Sequence, residues 1–130
     1  MHVRNVLVRR LIGIDEIDAA IETYETLLGQ SPRLCFDYPE KQLRIVQIGQ
    51  ILLIGGSAAA LEAFQATTMT FLVSDLSAYS DYLPMIGATI VRPIQTVPSG
   101  RNMLVRHPDD SLVEYVEHDQ PHPADDVLCH

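Results

Sequence analysis

The sequence has few of the residues that mark secreted or membrane-bound proteins. Only two of its 130 residues are cysteines, Cys35 and Cys129, and they lie far apart. Two such distant cysteines are no disulfide framework, so we expect a reduced, cytoplasmic protein. The sequence also contains no run of about 18 apolar residues, the length that a membrane-spanning helix needs. We therefore expect no membrane partner.

Basic residues are scarce as well. The chain has 9 Lys and Arg against 17 Asp and Glu, which gives a net charge of −8. Because nucleic-acid-binding proteins concentrate basic residues on one face, we expect no nucleic-acid partner. Hydrophobic residues make up 47% of the sequence and charged residues 20%, a composition that excludes a disordered chain. A chain of this length has enough residues for one domain with its own core.

The sequence pattern predicts a strand, a helix and three further strands, and this order occurs twice along the chain. In the first copy, a strand over residues 3–12 precedes an amphipathic helix that we predict to start at an N-cap, Asp15, and to end at Gly29. In the second copy, we predict a strand over residues 88–92 and a loop over residues 93–99. This internal repeat predicts an α+β fold made of two β-α-β-β-β modules.

The repeat also sets the predicted boundaries within the chain. We predict one domain over residues 1–118, which contains module one at residues 3–55, a linker at residues 56–66 and module two at residues 67–118. Residues 119–130 are polar and rich in proline, and we predict a loosely ordered tail there.

The second module ends in two strand-like runs joined by a polar turn. The turn contains Pro108-Asp109-Asp110-Ser111, and these residue types favour tight turns. In the strand after it, Leu112, Glu114 and Val116 share one face because side chains alternate along a strand. Glu114 is therefore a lone carboxylate among apolar neighbours, and it is the first candidate functional residue.

The two modules resemble the vicinal oxygen chelate superfamily, which contains glyoxalase I, extradiol dioxygenases, methylmalonyl-CoA epimerase and the bleomycin resistance proteins. The resemblance rests on the order and spacing of four segments: Asp15 to Gly29 with its Tyr24-x-x-Leu27-Leu28-Gly29 ending, Phe71-x-Val73-Ser74-Asp75-Leu76, Gly87-Ala88, and the closing hairpin. It implies two curled sheets that face each other around a cup. It also implies a homodimer, since many members pair two chains.

Metal-using members of that superfamily place four ligands in the cup, one on the first and one on the last strand of each module. Carried over to this sequence, the four positions fall on Val8 or Arg9, near Leu53, on Thr68 and on Glu114. Only Glu114 is a good ligand, because threonine binds cations poorly and the other side chains do not bind them. The resemblance therefore implies a member that has lost three of four ligands and uses neither a metal ion nor another cofactor.

Three interpretations of Glu114 in the implied cup remain open. In the first, Glu114 pairs with an arginine, for which Arg9, Arg10 and Arg101 are candidates. Alternatively, it acts as a general base or proton shuttle, or it binds a metal ion. Arg9 and Arg10 are adjacent in a strand, so one of them faces the cup, where it would suit a carboxylate or phosphate ligand.

The remaining candidates are expected to line the cup. Phe36 or Tyr38, whichever faces inward, would contribute an aromatic wall, and Thr70 lies two residues after Thr68 on the same strand. The full set of predicted ligand-binding residues is Arg9, Arg10, Phe36, Tyr38, Thr68, Thr70, Arg101 and Glu114.

For function, we expect a metal-independent small-molecule binding protein of the bleomycin-resistance type, which holds an organic ligand in the cup. A first alternative is a lyase or isomerase that acts on a small oxygenated substrate, with Glu114 as the catalytic proton shuttle. A second alternative is a non-catalytic accessory module for a protein partner.

Overall fold

Both predicted modules are present in the computed structural model, which describes residues 1–119. Module one contains β1 (Val3–Gly13), α1 (Ile17–Leu28), β2 (Leu34–Tyr38), β3 (Leu43–Ile48) and β4 (Ile51–Gly56). A short helix, α2 (Ala58–Glu62), lies in the predicted linker. Module two contains β5 (Thr67–Val73), α3 (Leu76–Tyr82), β6 (Thr89–Val97), β7 (Gly100–Arg106) and β8 (Leu112–His118). The predicted α+β fold of two β-α-β-β-β modules is confirmed.

The described chain forms two compact units. One contains residues 8–65, and its strands pair in the order β2-β3-β4-β1. The other contains residues 1–7 and the chain from Ala66 onward, and its strands pair in the order β1-β5-β8-β7-β6. We call them the first unit and the second unit. Residues 120–130, which hold most of the predicted tail, and with it Cys129, lie outside the described part.

Helix α1 begins later than the sequence predicts. Its N-cap is Glu16 and not Asp15, and the Glu16 side chain makes no capping hydrogen bond. The Glu16 N–H donates to the Gly13 carbonyl at 2.9 Å, so a tight turn leads from β1 into the helix and moves its first residue to Ile17. The predicted end is confirmed, since Gly29 adopts a left-handed φ of 63° and its N–H donates to the Glu25 carbonyl.

The predicted loop over residues 93–99 is wrong, because β6 continues through Pro93 to Val97. Its pairing with β7 shifts register twice, between Ile90 and Arg92 and between Arg92 and Gln95. In the strand order of the second unit, β6 lies at the edge. Proline lacks a backbone N–H, and an edge strand tolerates this at an irregular position.

The core of the second unit lies between α3 and one face of its sheet. The Asp75 side chain caps α3 by accepting a hydrogen bond from the Ala78 N–H at 3.1 Å. Leu76 and Tyr79 of this helix are buried, and the sheet side of the same cluster is formed by Val73, Met103, Val105, Val113 and Tyr115. Because side chains alternate along each strand, the residues between these core positions lie on the opposite face.

Among the described residues, no helix has the length and apolar character that crossing a bilayer requires.

A glycine at the turn between β6 and β7 supplies a test of this fold. Gly100 has a φ of 149°, and a β-carbon built there would collide with the backbone carbonyl of Glu117. We expect Gly100→Ala to lower the free energy of unfolding by about 2 kcal/mol or more, measured by urea denaturation. Gly13→Ala is the matched control, since a β-carbon at Gly13 meets nothing within 4 Å. Equal losses in the two variants would contradict the turn geometry.

Candidate functional site

Four polar side chains form a hydrogen-bonded group on the second unit's sheet, on the face opposite α3. We call Thr70, Arg92, Asn102 and Glu114 the Glu114 network. Thr70 Oγ1 donates to Glu114 Oε1 at 2.9 Å, and Asn102 Nδ2 donates to Glu114 Oε2 at 2.8 Å. Arg92 Nη1 in turn donates to Asn102 Oδ1 at 3.1 Å. Each oxygen of the Glu114 carboxylate is therefore held by a neutral donor.

The register of four neighbouring strands brings these side chains together. Thr70 of β5 is aligned with Glu114 of β8, and Leu104 of β7 is aligned with the same glutamate. Leu104 is also aligned with Arg92 of β6, and Asn102 lies two residues before Leu104 on the same face. The network is thus a product of strand pairing in the order β5-β8-β7-β6.

Apolar side chains lie beside the network on the same sheet face. Thr70 is 1% exposed and Asn102 is 7% exposed, whereas Glu114 and Arg92 are half-buried. Buried polar groups require hydrogen-bond partners, and the network supplies them. Leu72, Leu104 and Val116 lie on the same face, because they alternate with the core positions of their strands. The result is a polar centre, accessible at Glu114 and Arg92, on an apolar surface.

Arg101, one of the three arginines considered as partners of Glu114, binds Glu117 instead. Arg101 Nη2 lies 2.8 Å from Glu117 Oε1, and the other oxygen of Glu117 accepts a hydrogen bond from the Leu76 N–H at 2.9 Å. The reason is strand geometry: Arg101 and Asn102 are adjacent, so only one of them can point toward Glu114. That one is Asn102.

The other two arginines belong to the first unit. Arg10 is exposed, and its Nη1 donates to the Leu11 carbonyl at 3.0 Å. Arg9 is half-buried and is aligned with Leu52, whereas Arg10 is aligned with Leu53, which packs in the core beneath α1. Arg9 therefore lies on the sheet face opposite α1, and Arg10 does not.

Phe36 and Tyr38 share that face of the first unit with Arg9. Phe36 is aligned with Ile45, which is aligned with Ile54, and Ile54 lies two residues after Leu52, the neighbour of Arg9. Tyr38 is two residues after Phe36 in β2, so strand alternation gives both aromatic rings the same orientation. The sequence led us to expect only one of the two on the inner face.

Thr68 lies apart from the Glu114 network. It is exposed, and its Oγ1 donates to the Leu112 carbonyl at 3.1 Å. The pairing of β5 with β8 changes register between Thr67 and Met69, which leaves Thr70 and not Thr68 opposite Glu114. Counting along the sequence cannot detect such a bulge.

The groups around Glu114 do not fit the divalent metal ion that many members of the resembled superfamily use. A metal ion needs lone pairs directed toward it, but Thr70 and Asn102 direct hydrogen atoms toward Glu114, and the amide oxygen of Asn102 already accepts from Arg92. Residues 1–119 contain no cluster of three or more His, Cys, Asp and Glu side chains suited to a metal ion. We derive no chemistry that passes through a metal.

Sequence reasoning missed Asn102 and Arg92. Asn102 could have been found from the predicted hairpin. A turn that pairs Arg106 with Leu112 also pairs Asn102 with Val116, and Val116 follows Glu114 on the same face. Arg92 ended the predicted strand, but the two register shifts that align it with Leu104 cannot be predicted from the sequence.

The opposite face of β8 is structural. Tyr115 lies in the core, its hydroxyl 2.7 Å from His107 Nε2, and its ring contacts those of Phe71 and Tyr79. Burial, with a smaller contribution from Tyr79, raises the pKa of Tyr115 to about 12. A phenol with this pKa is neutral at physiological pH, so Tyr115 acts there as a packed hydrogen-bonding group.

No protein-family model and no curated protein matches this sequence. A crystal structure of an uncharacterized, hypothetical protein from Methanosarcina mazei does match, with 40% sequence identity and a TM-score of 0.85. The match covers 93% of this chain and 97% of that one. The chain belongs to the family of this protein.

Two other solved structures show the same fold at lower identity. Methylmalonyl-CoA epimerase from Mycobacterium tuberculosis is 22% identical with a TM-score of 0.68, and the match covers 91% of this chain and 90% of that one. The Streptomyces coelicolor methylmalonyl-CoA epimerase, in complex with 2-nitronate-propionyl-CoA, is 17% identical with a TM-score of 0.65 over 92% and 100% of the two chains. The predicted likeness to the vicinal oxygen chelate superfamily is confirmed at the level of the fold.

The contacts of Glu117 generate a prediction for stability. Burial opposes its ionisation, but the hydrogen bonds from the Leu76 N–H and from Arg101 outweigh burial, and the pKa of Glu117 is lowered. A lowered pKa contributes stability above the unfolded-state value, and this contribution is lost as the pH falls through the folded-state pKa. We expect Glu117→Gln to reduce the free energy of unfolding by about 1 kcal/mol at pH 7, a value discounted for the partial exposure of the ion pair.

This effect is measured by urea denaturation of both proteins at pH 7 and at pH 3. The difference between them should shrink at the lower pH, because the contribution of the ionised carboxylate is lost as the pH falls through the folded-state pKa. Glu22→Gln, on the exposed side of α1, is the matched control and should change stability little at either pH. A loss that is independent of pH would show that the charge of Glu117 does not matter.

Proposed function

We propose that this chain binds a small organic molecule on the apolar sheet face around the Glu114 network, and that it does so without a metal ion. The supporting observation is the position of Glu114, whose two carboxylate oxygens are fixed by Thr70 and Asn102 while the side chain stays partly exposed. A small-molecule site typically combines apolar walls with a few polar groups of fixed direction. Leu72, Leu104 and Val116 supply such walls.

The hydrogen bonds from Thr70 and Asn102 fix the direction of the Glu114 carboxylate. A hydroxyl or amine of a ligand would then donate to an acceptor whose orientation is set before binding. Because the acceptor is already oriented, binding does not have to order the Glu114 side chain, which favours affinity.

The first prediction for this function concerns the carboxylate. We expect some members of a panel of hydroxy acids, amino acids and sugars to raise the melting temperature of the wild-type protein, and we expect Glu114→Gln to weaken their binding by about tenfold or more, because a carboxylate accepts stronger hydrogen bonds than an amide. Addition of EDTA should change neither result. Glu22→Gln is again the matched control. Ligands that bind Glu114→Gln undiminished, or that need a metal ion, would contradict the proposal.

An isomerase is the second candidate, favoured by the similarity of the fold to the two methylmalonyl-CoA epimerases. In this case, Glu114 would accept the proton of a carbon next to a carbonyl group and return a proton to that carbon. Thr70 and Asn102 would keep the carboxylate pointed at that carbon. Removal and return of the proton on one face exchanges it, and inversion at that carbon would additionally require return of the proton to the opposite face.

This candidate predicts that the protein exchanges the α-proton of methylmalonyl-CoA in deuterated water, observed by proton NMR. Glu114→Gln should slow the exchange by about 100-fold or more, since an amide cannot accept the proton. Exchange at the wild-type rate in Glu22→Gln would exclude a general effect of lost charge. No exchange above the buffer rate by the wild-type protein would reject this substrate for the isomerase and leave the binding function as proposed.

A further inference from the structure

We infer that Arg92 is an anion-binding residue, so that the ligand of the Glu114 network carries a carboxylate or phosphate group together with a hydrogen-bond donor. The inference rests on the proposed function, because it names the chemical class of the ligand bound on the same sheet face. Arg92 is not among the positions predicted from the sequence.

The guanidinium of Arg92 uses only part of its hydrogen-bonding capacity. Its Nη1 donates to Asn102 Oδ1 at 3.1 Å and, at 3.5 Å, to the Pro93 carbonyl. Within residues 1–119, its Nη2 and Nε groups donate to no protein acceptor. These two groups form one edge of the planar guanidinium, and this edge matches the two oxygens of a carboxylate or phosphate.

Two other arginines of the same sheet form ion pairs, whereas Arg92 does not pair with a described residue. Arg101 of β7 forms an ion pair with Glu117 at 2.8 Å, and Arg106 of the same strand forms one with Asp110 at 3.6 Å. Arg92 forms no ion pair with any residue that the structure describes, although the chain contains 17 acidic residues. It is half-buried on a sheet face with apolar neighbours, where a partner would compensate for the water that burial removes from the guanidinium. An anionic ligand would provide that partner.

The amide of Asn102 fixes the order of charges along the site. Arg92 can only donate hydrogen bonds, and an ionised Glu114 can only accept them, so the Asn102 oxygen must face Arg92 and its nitrogen must face Glu114. A positive and a negative group thus lie on one face, separated by a single amide. The complementary ligand has an anionic group at one end and a hydroxyl or amino group near it, as in a small hydroxy acid or an amino acid.

The test uses pairs of probes of which the first carries an anionic group that the second lacks: lactate and lactamide, alanine and alaninamide, glycerol 3-phosphate and glycerol. Binding to the ¹⁵N-labelled full chain is followed by NMR through the Arg92 Nε–H and the Asn102 side-chain amide signals, which detect weak binding. We expect at least one acid to shift both signals and to bind about tenfold or more tightly than its partner without the anionic group. The carboxylate and phosphate pairs show which anion the site prefers.

Variants then separate Arg92 from the rest of the site. Arg92→Gln should abolish the preference for the acid, and Arg92→Lys, which keeps the charge but lacks the planar edge, should weaken binding of the acid by about tenfold. Arg106→Gln, the matched control on β7, should leave the preference unchanged. Circular dichroism checks that each variant is folded. If one of the two Arg92 variants does not fold, the other still tests the role of Arg92.

The outcomes distinguish this inference from the function on which it rests. If the probes with and without the anionic group bind equally well, or if Arg92→Gln keeps the preference for the acid, the assignment of Arg92 is overturned while small-molecule binding stands. If acids bind the Glu114→Gln variant as tightly as they bind the wild-type protein, the anion site at Arg92 stands and the role proposed for Glu114 is overturned. If no probe shifts either signal, this ligand class is overturned, and the wider panel of ligands decides the proposed function.

Discussion

A carboxylate on an apolar sheet face is stable only when donors from neighbouring strands reach it, and the second unit is arranged to meet this requirement at Glu114. Thr70 approaches from β5 on one side and Asn102 from β7 on the other. If β8 lay at an edge, one of the two donors would be lost, because each occupies a strand directly beside it. The position of β8 between two strands therefore explains the fixed orientation of the carboxylate.

The same strands serve two purposes because their side chains alternate. Val113 and Tyr115 face α3 and build the core, while Glu114 between them faces the other way. On β7, in the same way, Met103 faces the core and Asn102 faces Glu114. Packing against α3 thus fixes the strand register, and the register in turn fixes which polar groups meet. The fold is shared with methylmalonyl-CoA epimerases, but the groups that meet at Glu114 differ from a metal-binding set, so fold and chemistry have to be argued separately.

The sequence was sufficient to predict the fold and part of the site. Helix periodicity and the glycine at residue 29 identified α1, and alternation in the hairpin placed Glu114 on the same sheet face as Leu112 and Val116. The failures involve irregular backbone. Pro93 suggested a loop although an edge strand can contain it, and the bulge in β5 contributes to placing Thr70, and not Thr68, opposite Glu114. Hydrogen bonds between distant strands, such as that of Arg92 with Asn102, depend on register and have no local pattern.

The two hydrogen bonds of Glu114 also differ in how far apart their partners lie along the chain, and this has a consequence for folding. Asn102 and Glu114 are 12 residues apart, whereas Thr70 and Glu114 are 44 residues apart. Closing a longer loop costs more chain entropy, so contacts within a hairpin tend to form before parallel pairing of distant strands. We expect Glu114 to acquire Asn102 when β7 and β8 pair, and Thr70 only when β5 docks. In a partly folded chain the carboxylate would thus be present on its hairpin with one donor, and the complete network would be a property of the closed module alone.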